Sequence, residues 1–209
     1  IVHDVALQDL PVVFCMDRAG LAGPDGPTHH GAFDIPYMLL VPGMTVTAPK
    51  DGAEMMALVR LGIQHESGPF SVRWSRDAVP EAVPQVSEIP DIEYGTWEIL
   101  RRGSDLVFLA TGTMVGAAAE AATALASSGI QAEVVNCRFL KPYDRDVLTD
   151  IAERHRRVIT IEEGAVINGF GAYMCLELSA LASEHTIEVR SLGLPDRFIP
   201  HGGREALLH

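Results

Sequence analysis

The densest group of polar residues is the stretch 17–31, which follows directly on an apolar run that ends at Met16. It contains Asp25 and His29, at a spacing where either a turn or the start of a helix brings the two side chains close. A carboxylate near an imidazole can orient it and hold it protonated, which suits acid or base catalysis near neutral pH. The alternative is a glycine-rich surface turn in which Asp25 and His29 only cap backbone groups. Spacing alone does not decide between the two.

Two arginines, Arg18 and Arg76, each follow a predicted strand. They are therefore expected at the same edge of the sheet as the polar loop, where parallel sheets bind ligands. A guanidinium fork in that place suits a phosphate or a carboxylate. The alternative is a pair of surface ion pairs, Arg18 with Asp17 and Arg76 with Asp77.

No metal site is predicted in this chain. His30 stands beside His29, but neighbouring side chains on an extended chain point opposite ways and no third ligand is near. A second glycine-rich stretch, residues 162–171, lies between a predicted strand and a predicted helix. It lacks both the GxGxxG pattern and a P-loop lysine, so we interpret it as structural.

The composition excludes several classes of protein. The chain has 209 residues, of which 47% are hydrophobic and 21% charged, as in an ordinary globular protein. A net charge of -12 disfavours nucleic acid and anionic membranes as partners. No apolar run is long enough to cross a membrane. Cys15, Cys137 and Cys175 are widely spaced in apolar runs, which predicts buried, reduced thiols.

The elements that position these residues alternate between strands and helices. Short apolar runs predict strands at residues 11–16, 44–48, 70–74, 106–110, 132–137, 158–161 and 187–192. Helical patterns are expected at residues 51–65, 113–127, 144–155 and 172–183. Apolar strands separated by helices of this length indicate βαβ units, hence an α/β fold with parallel sheets.

A change of character at residues 77–93 predicts a linker between two domains. This stretch holds three prolines and five acids but no Lys or Arg. Proline fixes φ and removes a backbone donor, so the stretch suits neither a helix nor a central strand. The predicted domains are residues 1–76 and 94–209. The first has few strands for its own sheet, and both chain ends look truncated, so we expect a fragment of a longer protein.

A resemblance to a known family covers nearly the whole chain. Its most specific part is the run Leu10-Pro11-Val12, Asp17-Arg18-Ala19-Gly20, Gly23, Asp25-Gly26, Thr28-His29 and Gly31. The likeness continues in Arg138-Phe139-Leu140-Lys141-Pro142, Glu162-Glu163, Gly169-Phe170-Gly171 and Gly193-Leu194-Pro195-Asp196. In these residues the chain resembles the 1-deoxy-D-xylulose-5-phosphate synthase family of transketolase-type enzymes.

The resemblance implies a fold and a reaction. The fold would be the end of a pyrimidine-binding domain followed by a transketolase C-terminal-like α/β domain. The reaction would condense pyruvate with D-glyceraldehyde 3-phosphate, with thiamine diphosphate and Mg²⁺ as cofactors, for isoprenoid and thiamine synthesis. His29 and Asp25 would be catalytic, and Arg18 and Arg76 would bind substrate anions, the phosphate above all. The resemblance also implies a homodimer, and the reduced thiols predicted above indicate a cytoplasmic protein.

Two departures from the family limit this reading. Where the family usually has R-Y-P-R-G, this chain has Arg73-Trp74-Ser75-Arg76-Asp77, and Asp77 could partly neutralise Arg76. The family's magnesium and diphosphate motif is absent, so a missing N-terminal domain or chain would supply most of the cofactor site, and no activity is expected alone. The alternatives are a transketolase, a 2-oxo-acid dehydrogenase β-type subunit, or a non-catalytic assembly module of the same fold.

Overall fold

The structure is a computed structural model that describes residues 1–77, 89–181 and 185–208. Most of the predicted linker, residues 77–93, lies outside these described residues. Nine strands are described: β1 (Val13–Met16), β2 (Thr45–Thr47), β3 (Phe70–Arg73), β4 (Glu98–Arg101), β5 (Leu106–Ala110), β6 (Ala132–Asn136), β7 (Phe139–Lys141), β8 (Arg157–Ala165) and β9 (Glu188–Leu194). The helices in the same ranges are α1 (Asp34–Leu39), α2 (Gly52–Gln64), α3 (Met114–Ala126), α4 (Arg145–Arg154), α5 (Phe170–Leu181) and α6 (Arg204–Leu208), besides two short 3₁₀ turns.

The first sheet has the strand order β1-β3-β2-β7. β1 and β2 both run parallel to β3, which lies between them. Helix α2 connects β2 to β3, and the Asp51 side chain caps its start by accepting the Glu54 N–H at 2.8 Å. All of β2 and β3 is buried, as expected for central strands covered on both faces.

The second sheet has the order β4-β6-β5-β8-β9. Strands β6, β5, β8 and β9 are parallel, whereas the edge strand β4 runs antiparallel to β6. Helix α3 packs on β6, and α5 packs on β8 and β9. The predicted α/β class with parallel sheets is therefore confirmed, and the seven strands and four helices predicted between residues 11 and 192 are all found, most with ends shifted by a few residues.

The two sheets are not separate along the chain. Strand β7 lies within the predicted second domain, yet it pairs antiparallel with β2 in the first sheet. Its residue Phe139 is fully buried and contacts the ring of Phe70 from β3, with ring centroids 6.4 Å apart. Trp97 donates from its indole N–H to the Phe139 carbonyl at 2.6 Å. One continuous core therefore joins both sheets.

Three predictions about local structure are wrong. Cys137 is buried, but Cys15 and Cys175 are exposed, because an apolar stretch at a sheet edge or on a helix has an outward side as well. All three are free thiols. Ile1, Val5 and Ala6 are spaced as on one stripe of a helix, which predicts that the chain begins in a helix, but the structure has turns there that end in a short 3₁₀ helix, Ala6–Gln8. The short elements α1, β4 and β7 were not predicted.

Candidate functional site

The polar loop after β1 folds back on itself beside Arg18. The Gly31 N–H donates to the Arg18 carbonyl at 3.0 Å, and the Gly20 N–H donates to the Gly31 carbonyl at 3.0 Å. A side chain on Gly31 would clash with that Arg18 carbonyl, so the closure needs glycine there. Arg18 itself has φ of 58°, a left-handed conformation that is uncommon outside glycine and typical of functional sites.

Asp25 lies between the two predicted substrate-binding arginines. Its Oδ2 accepts a short hydrogen bond from Arg76 Nη1 and a longer one, 3.4 Å, from Arg18 Nε. Arg18 also donates to Asp17 at 2.8 Å. The hydrogen bond from Arg76 is the main reason why the pKa of Asp25 lies below its usual 3.8, so the carboxylate stays ionised at neutral pH.

The structure does not bring Asp25 and His29 together by a hydrogen bond. Within the described ranges, the only hydrogen bond of the His29 ring joins Nδ1 to the Thr28 hydroxyl at 2.9 Å. His29 is exposed, and its Nε2 is left open. The Asp25 carboxylate is instead bonded to the two arginines, so the proposed cooperation of Asp25 with His29 stays a prediction.

A cleft of about 750 Å³ opens at the carboxyl ends of β1, β2, β3 and β5. Its lining includes both predicted arginines, a lysine, an indole and two hydroxyl groups, namely Arg18, Arg76, Lys50, Trp74, Ser75 and Thr113. This is the edge at which open parallel sheets bind ligands. The Lys50 side chain is 24% exposed and lies 2.9 Å from Glu98, whereas Arg18 and Arg76 are 42% and 49% exposed, so the arginines are more accessible to an anion than Lys50 is.

A buried carboxylate, Glu163, connects this edge to the end of the chain. Its side chain is 3% exposed, and it accepts the Leu21 N–H at 2.8 Å and the Thr113 hydroxyl at 3.0 Å. Arg204 donates to Glu163 at 2.5 Å and to Asp77 at 2.5 Å. Asp77 pairs with Arg204 and Arg76 pairs with Asp25, so the partial neutralisation of Arg76 by Asp77 stays a prediction.

The glycine-rich start of α5 is closed from within the protein. The buried Glu162 carboxylate accepts the N–H groups of Phe170 at 2.9 Å and Gly171 at 2.8 Å. Burial raises the pKa of Glu162 above its usual 4.5. A carboxylate in this position satisfies the helix start as a bound anion would, which agrees with the structural interpretation of residues 162–171.

His30 likewise has a structural contact. Its Nδ1 accepts the Ala22 N–H at 2.9 Å, which ties the loop after β1. In the described parts of the chain, no group of three or more His, Cys, Asp and Glu side chains is placed to hold a metal ion. In the same parts, no helix is long and apolar enough to cross a membrane.

Three residues at this edge, Glu163, Arg204 and Thr113, have no role that the local sequence pattern indicates. Their contacts join residues 41 and 50 positions apart, which no local pattern reveals. The buried ion pair of Arg73 was not predicted either. Arg73 pairs with buried Asp34 at 2.7 Å and donates to the Glu163 carbonyl at 3.1 Å, fixing β3 against the second sheet.

The comparisons with known proteins match both parts of the chain. The model of the transketolase pyrimidine-binding domain matches residues 1–81, and that of the transketolase C-terminal domain matches residues 95–209. A solved structure described as a split-gene transketolase in an inactive beta4 tetramer has a TM-score of 0.82 at 33% identity. That match covers 95% of this chain and 62% of the other.

Similar curated proteins are 1-deoxy-D-xylulose-5-phosphate synthases. The one from Gloeobacter violaceus is 45% identical over 209 residues, and the one from Aquifex aeolicus is 47% identical over 208. These matches cover 100% and 99% of this chain but 32% of each relative, so the chain spans about a third of their length. With family models matched on both sides of residues 82–94, the chain belongs to the transketolase family.

Proposed function

We propose that this chain forms part of a 1-deoxy-D-xylulose-5-phosphate synthase. The whole enzyme would join a two-carbon unit from pyruvate to D-glyceraldehyde 3-phosphate, releasing carbon dioxide. The observation that carries the proposal is the placement of Arg18 and Arg76 on one ionised carboxylate, Asp25, at the open edge of the first sheet. The similarity to synthases over the full length of the chain supports it.

The two arginines would bind the phosphate of the aldehyde substrate. Both side chains are about half exposed and line the cleft, so an anion can reach them. A phosphate would replace or share the Asp25 carboxylate as their partner, and charge-assisted bonds from two guanidinium groups would hold it strongly. The bound phosphate would then fix the distance of the aldehyde carbon from the reacting centre.

The residues of this chain fit only part of a thiamine diphosphate site. Trp74 and Met55 give the cleft an apolar part next to its polar groups. No metal-binding group lies in the described ranges, so the Mg²⁺ and the diphosphate would be held by the portion of the relatives that this chain does not cover. When bound, the cofactor supplies the electron sink for breaking the bond to the pyruvate carboxyl group.

His29 would move a proton at the aldehyde oxygen. Its Nδ1 is hydrogen-bonded to Thr28, its side chain is exposed, and its Nε2 has no hydrogen bond to the described residues. A positioned imidazole can donate a proton to an oxygen that gains charge and accept one from a substrate group in a later step. Asp25 would act beside it by holding Arg18 and Arg76 in place.

We further propose a homodimeric, cytoplasmic enzyme that requires Mg²⁺. The structural neighbour is described as a tetramer of beta chains, which supports self-association in this family. The exposed thiols of Cys15 and Cys175 are unpaired, as is usual in a reducing compartment. Native mass spectrometry with thiamine diphosphate and Mg²⁺ would give both the subunit number and the bound cofactor.

To test this proposal, the chain is expressed together with the portion that corresponds to the rest of its relatives' length. The complete protein is then assayed with pyruvate and D-glyceraldehyde 3-phosphate. We expect the phosphorylated ketose product and carbon dioxide in equal amounts. The variant His29→Ala should lower turnover by about 10²- to 10⁴-fold, the range for a positioned acid or base. The matched control is His3→Ala, because His3 is exposed and, among the described residues, its ring is hydrogen-bonded to Asp4 alone.

The second candidate is a non-catalytic assembly module. A similar structure is described as inactive, and this chain alone lacks a metal-binding group in its described ranges. A folded, cofactor-loaded complete protein that forms no product from these substrates would favour the module. A loss below about threefold in His29→Ala would remove His29 from the proposed mechanism and leave the synthase assignment to the product assay.

A further inference from the structure

The C-terminal segment, residues 201–207, packs against the turn that carries Asp25. The Gly202 N–H donates to the Gly23 carbonyl at 3.3 Å. A side chain added at Gly23 would stand 3.3 Å from the Gly202 carbonyl, and one at Gly26 would stand 3.3 Å from His201. Both glycines also have positive φ, so the turn is specialised for this close approach. The segment therefore fixes one side of the arginine pair.

Arg204 holds the backbone on the other side of the arginine pair, next to Arg76. Its Nη1 lies 2.5 Å from Asp77, the residue directly after Arg76. Its Nη2 lies 2.5 Å from Glu163 and 3.2 Å from the Thr113 hydroxyl, and its Nε lies 3.2 Å from Glu163. The Arg204 side chain is only 18% exposed. A partly buried guanidinium with this many directed bonds has little freedom, so it transmits position as well as charge.

We propose that Arg204 is a positioning residue for the anion site formed by Arg18 and Arg76. By holding Asp77, it sets the backbone next to Arg76. The segment around it holds the turn at Gly23, and that turn sets Asp25, which bridges both arginines. The C-terminal segment thereby preorganises two loops that are far apart in sequence, which lowers the cost of binding an anion there. The inference rests on the proposed function only in taking that anion to be the substrate phosphate.

The test measures inorganic phosphate binding to the complete, cofactor-free protein by isothermal titration calorimetry. Arg204→Met and Asp77→Ala should each weaken phosphate binding by about threefold to thirtyfold, the size of coupling between residues in one network. Arg204→Lys keeps the charge but not the fork, and should recover only part of the affinity. Arg190→Met is the matched control, since Arg190 is exposed on β9 and its ion pair among the described residues is with Glu188.

The Asp77 variant separates position from charge. Removing a negative charge near the site should tighten phosphate binding if only the electric field matters, whereas loss of position should weaken it. Tighter or unchanged binding in Asp77→Ala would overturn the proposal, and so would unchanged binding in Arg204→Met. No phosphate binding by the unaltered protein would overturn it as well. If Arg204→Met does not fold, the Asp77 result decides.

Steady-state kinetics provide the second readout. In the complete enzyme, Arg204→Met and Asp77→Ala should each raise KM for D-glyceraldehyde 3-phosphate. The KM values for unphosphorylated glyceraldehyde and for pyruvate should stay unchanged. An equal change for both aldehydes would mean a general structural defect and would contradict the inference. A complete enzyme without synthase activity would refute the proposed function, and the calorimetry would still judge Arg204.

Discussion

At the scale of single residues, the main feature is that two cationic side chains share one carboxylate. Arg18 and Arg76 lie on different loops, and Asp25 holds their guanidinium groups together before any ligand arrives. The pKa of Asp25 is lowered by this pairing, so the arrangement persists across the physiological pH range. The site therefore has its cations positioned in advance, with an internal anion in the place proposed for the phosphate.

We predict that Arg76→Met raises KM for D-glyceraldehyde 3-phosphate by about tenfold to a hundredfold, since charge-assisted bonds contribute roughly 1.5 to 3 kcal/mol. The value of kcat should change little, because the phosphate is bound equally in the ground state and the transition state. The control is Arg60→Met, whose side chain pairs with Asp91 away from this edge. A fall in kcat with an unchanged KM would assign Arg76 to the chemical step.

Local sequence rules predicted part of this site. Arg18 and Arg76 were placed correctly, because each follows directly on a strand and parallel strands end at one edge. Asp25 was predicted near His29 from their spacing, but that rule ignores the arginines that compete for the carboxylate. The contacts of Arg204 could not be predicted, since they depend on how the chain end returns to the first sheet.

At the scale of elements, carboxylates hold the ends of helices and strands. Glu162 accepts two N–H groups at the start of α5 while only 2% exposed. We predict that Glu162→Ala lowers the free energy of unfolding by about 2 to 4 kcal/mol, because two buried donors lose their acceptor. Glu162→Gln, which keeps an acceptor oxygen, should lose less. Urea denaturation checks this, and equal losses in both variants would contradict it.

The ion pairs between β6 and α4 should make stability depend on pH. Glu133 on β6 is fully buried and accepts from Arg154 at 3.0 Å and from His155. Burial alone would raise the pKa of Glu133, but the bonds from Arg154 and His155 outweigh it and hold the pKa below 4.5. The stabilising contribution is thus fully present above pH 4.5 and is lost as pH falls through the lowered value.

The variant Glu133→Gln tests this dependence. It should be clearly less stable than the unaltered protein at pH 7, by about 3 to 5 kcal/mol for a broken buried ion pair. The gap should narrow as the pH falls below 4.5, because the native carboxyl then becomes protonated too. Denaturation at several pH values gives the comparison. If the difference in the free energy of unfolding stays constant down to pH 3, ionisation of Glu133 does not contribute to stability.

Strands and helices could be predicted from the sequence where their apolar pattern is long. The strands and helices of the βαβ units were found because their runs are apolar and flanked by glycine or capping residues. α1, β4 and β7 were missed because they span only 6, 4 and 3 residues, too few for a period to show. β7 in particular is defined by its partner β2 rather than by its own sequence.

At the scale of the whole molecule, the shared core predicts cooperative unfolding. Trp74 follows β3 in the first sheet, and Trp97 precedes β4 of the second while donating to Phe139 of β7. We predict that the 209-residue chain unfolds in one transition with the same midpoint for both indoles. Fluorescence of Trp74→Phe and Trp97→Phe in urea would report the remaining indole in each case. Two separate midpoints would mean that the sheets unfold independently.

The position of β7 also matters for anyone who recombines members of this family. A crossover placed in residues 82–94, between the two matched domains, would exchange strands β1 to β3 but leave β7 from the other parent. The residues facing Phe139 would then come from a different ancestor than Phe139 itself. Chimeras should therefore inherit β7 together with the first sheet, even though β7 lies within the matched C-terminal domain.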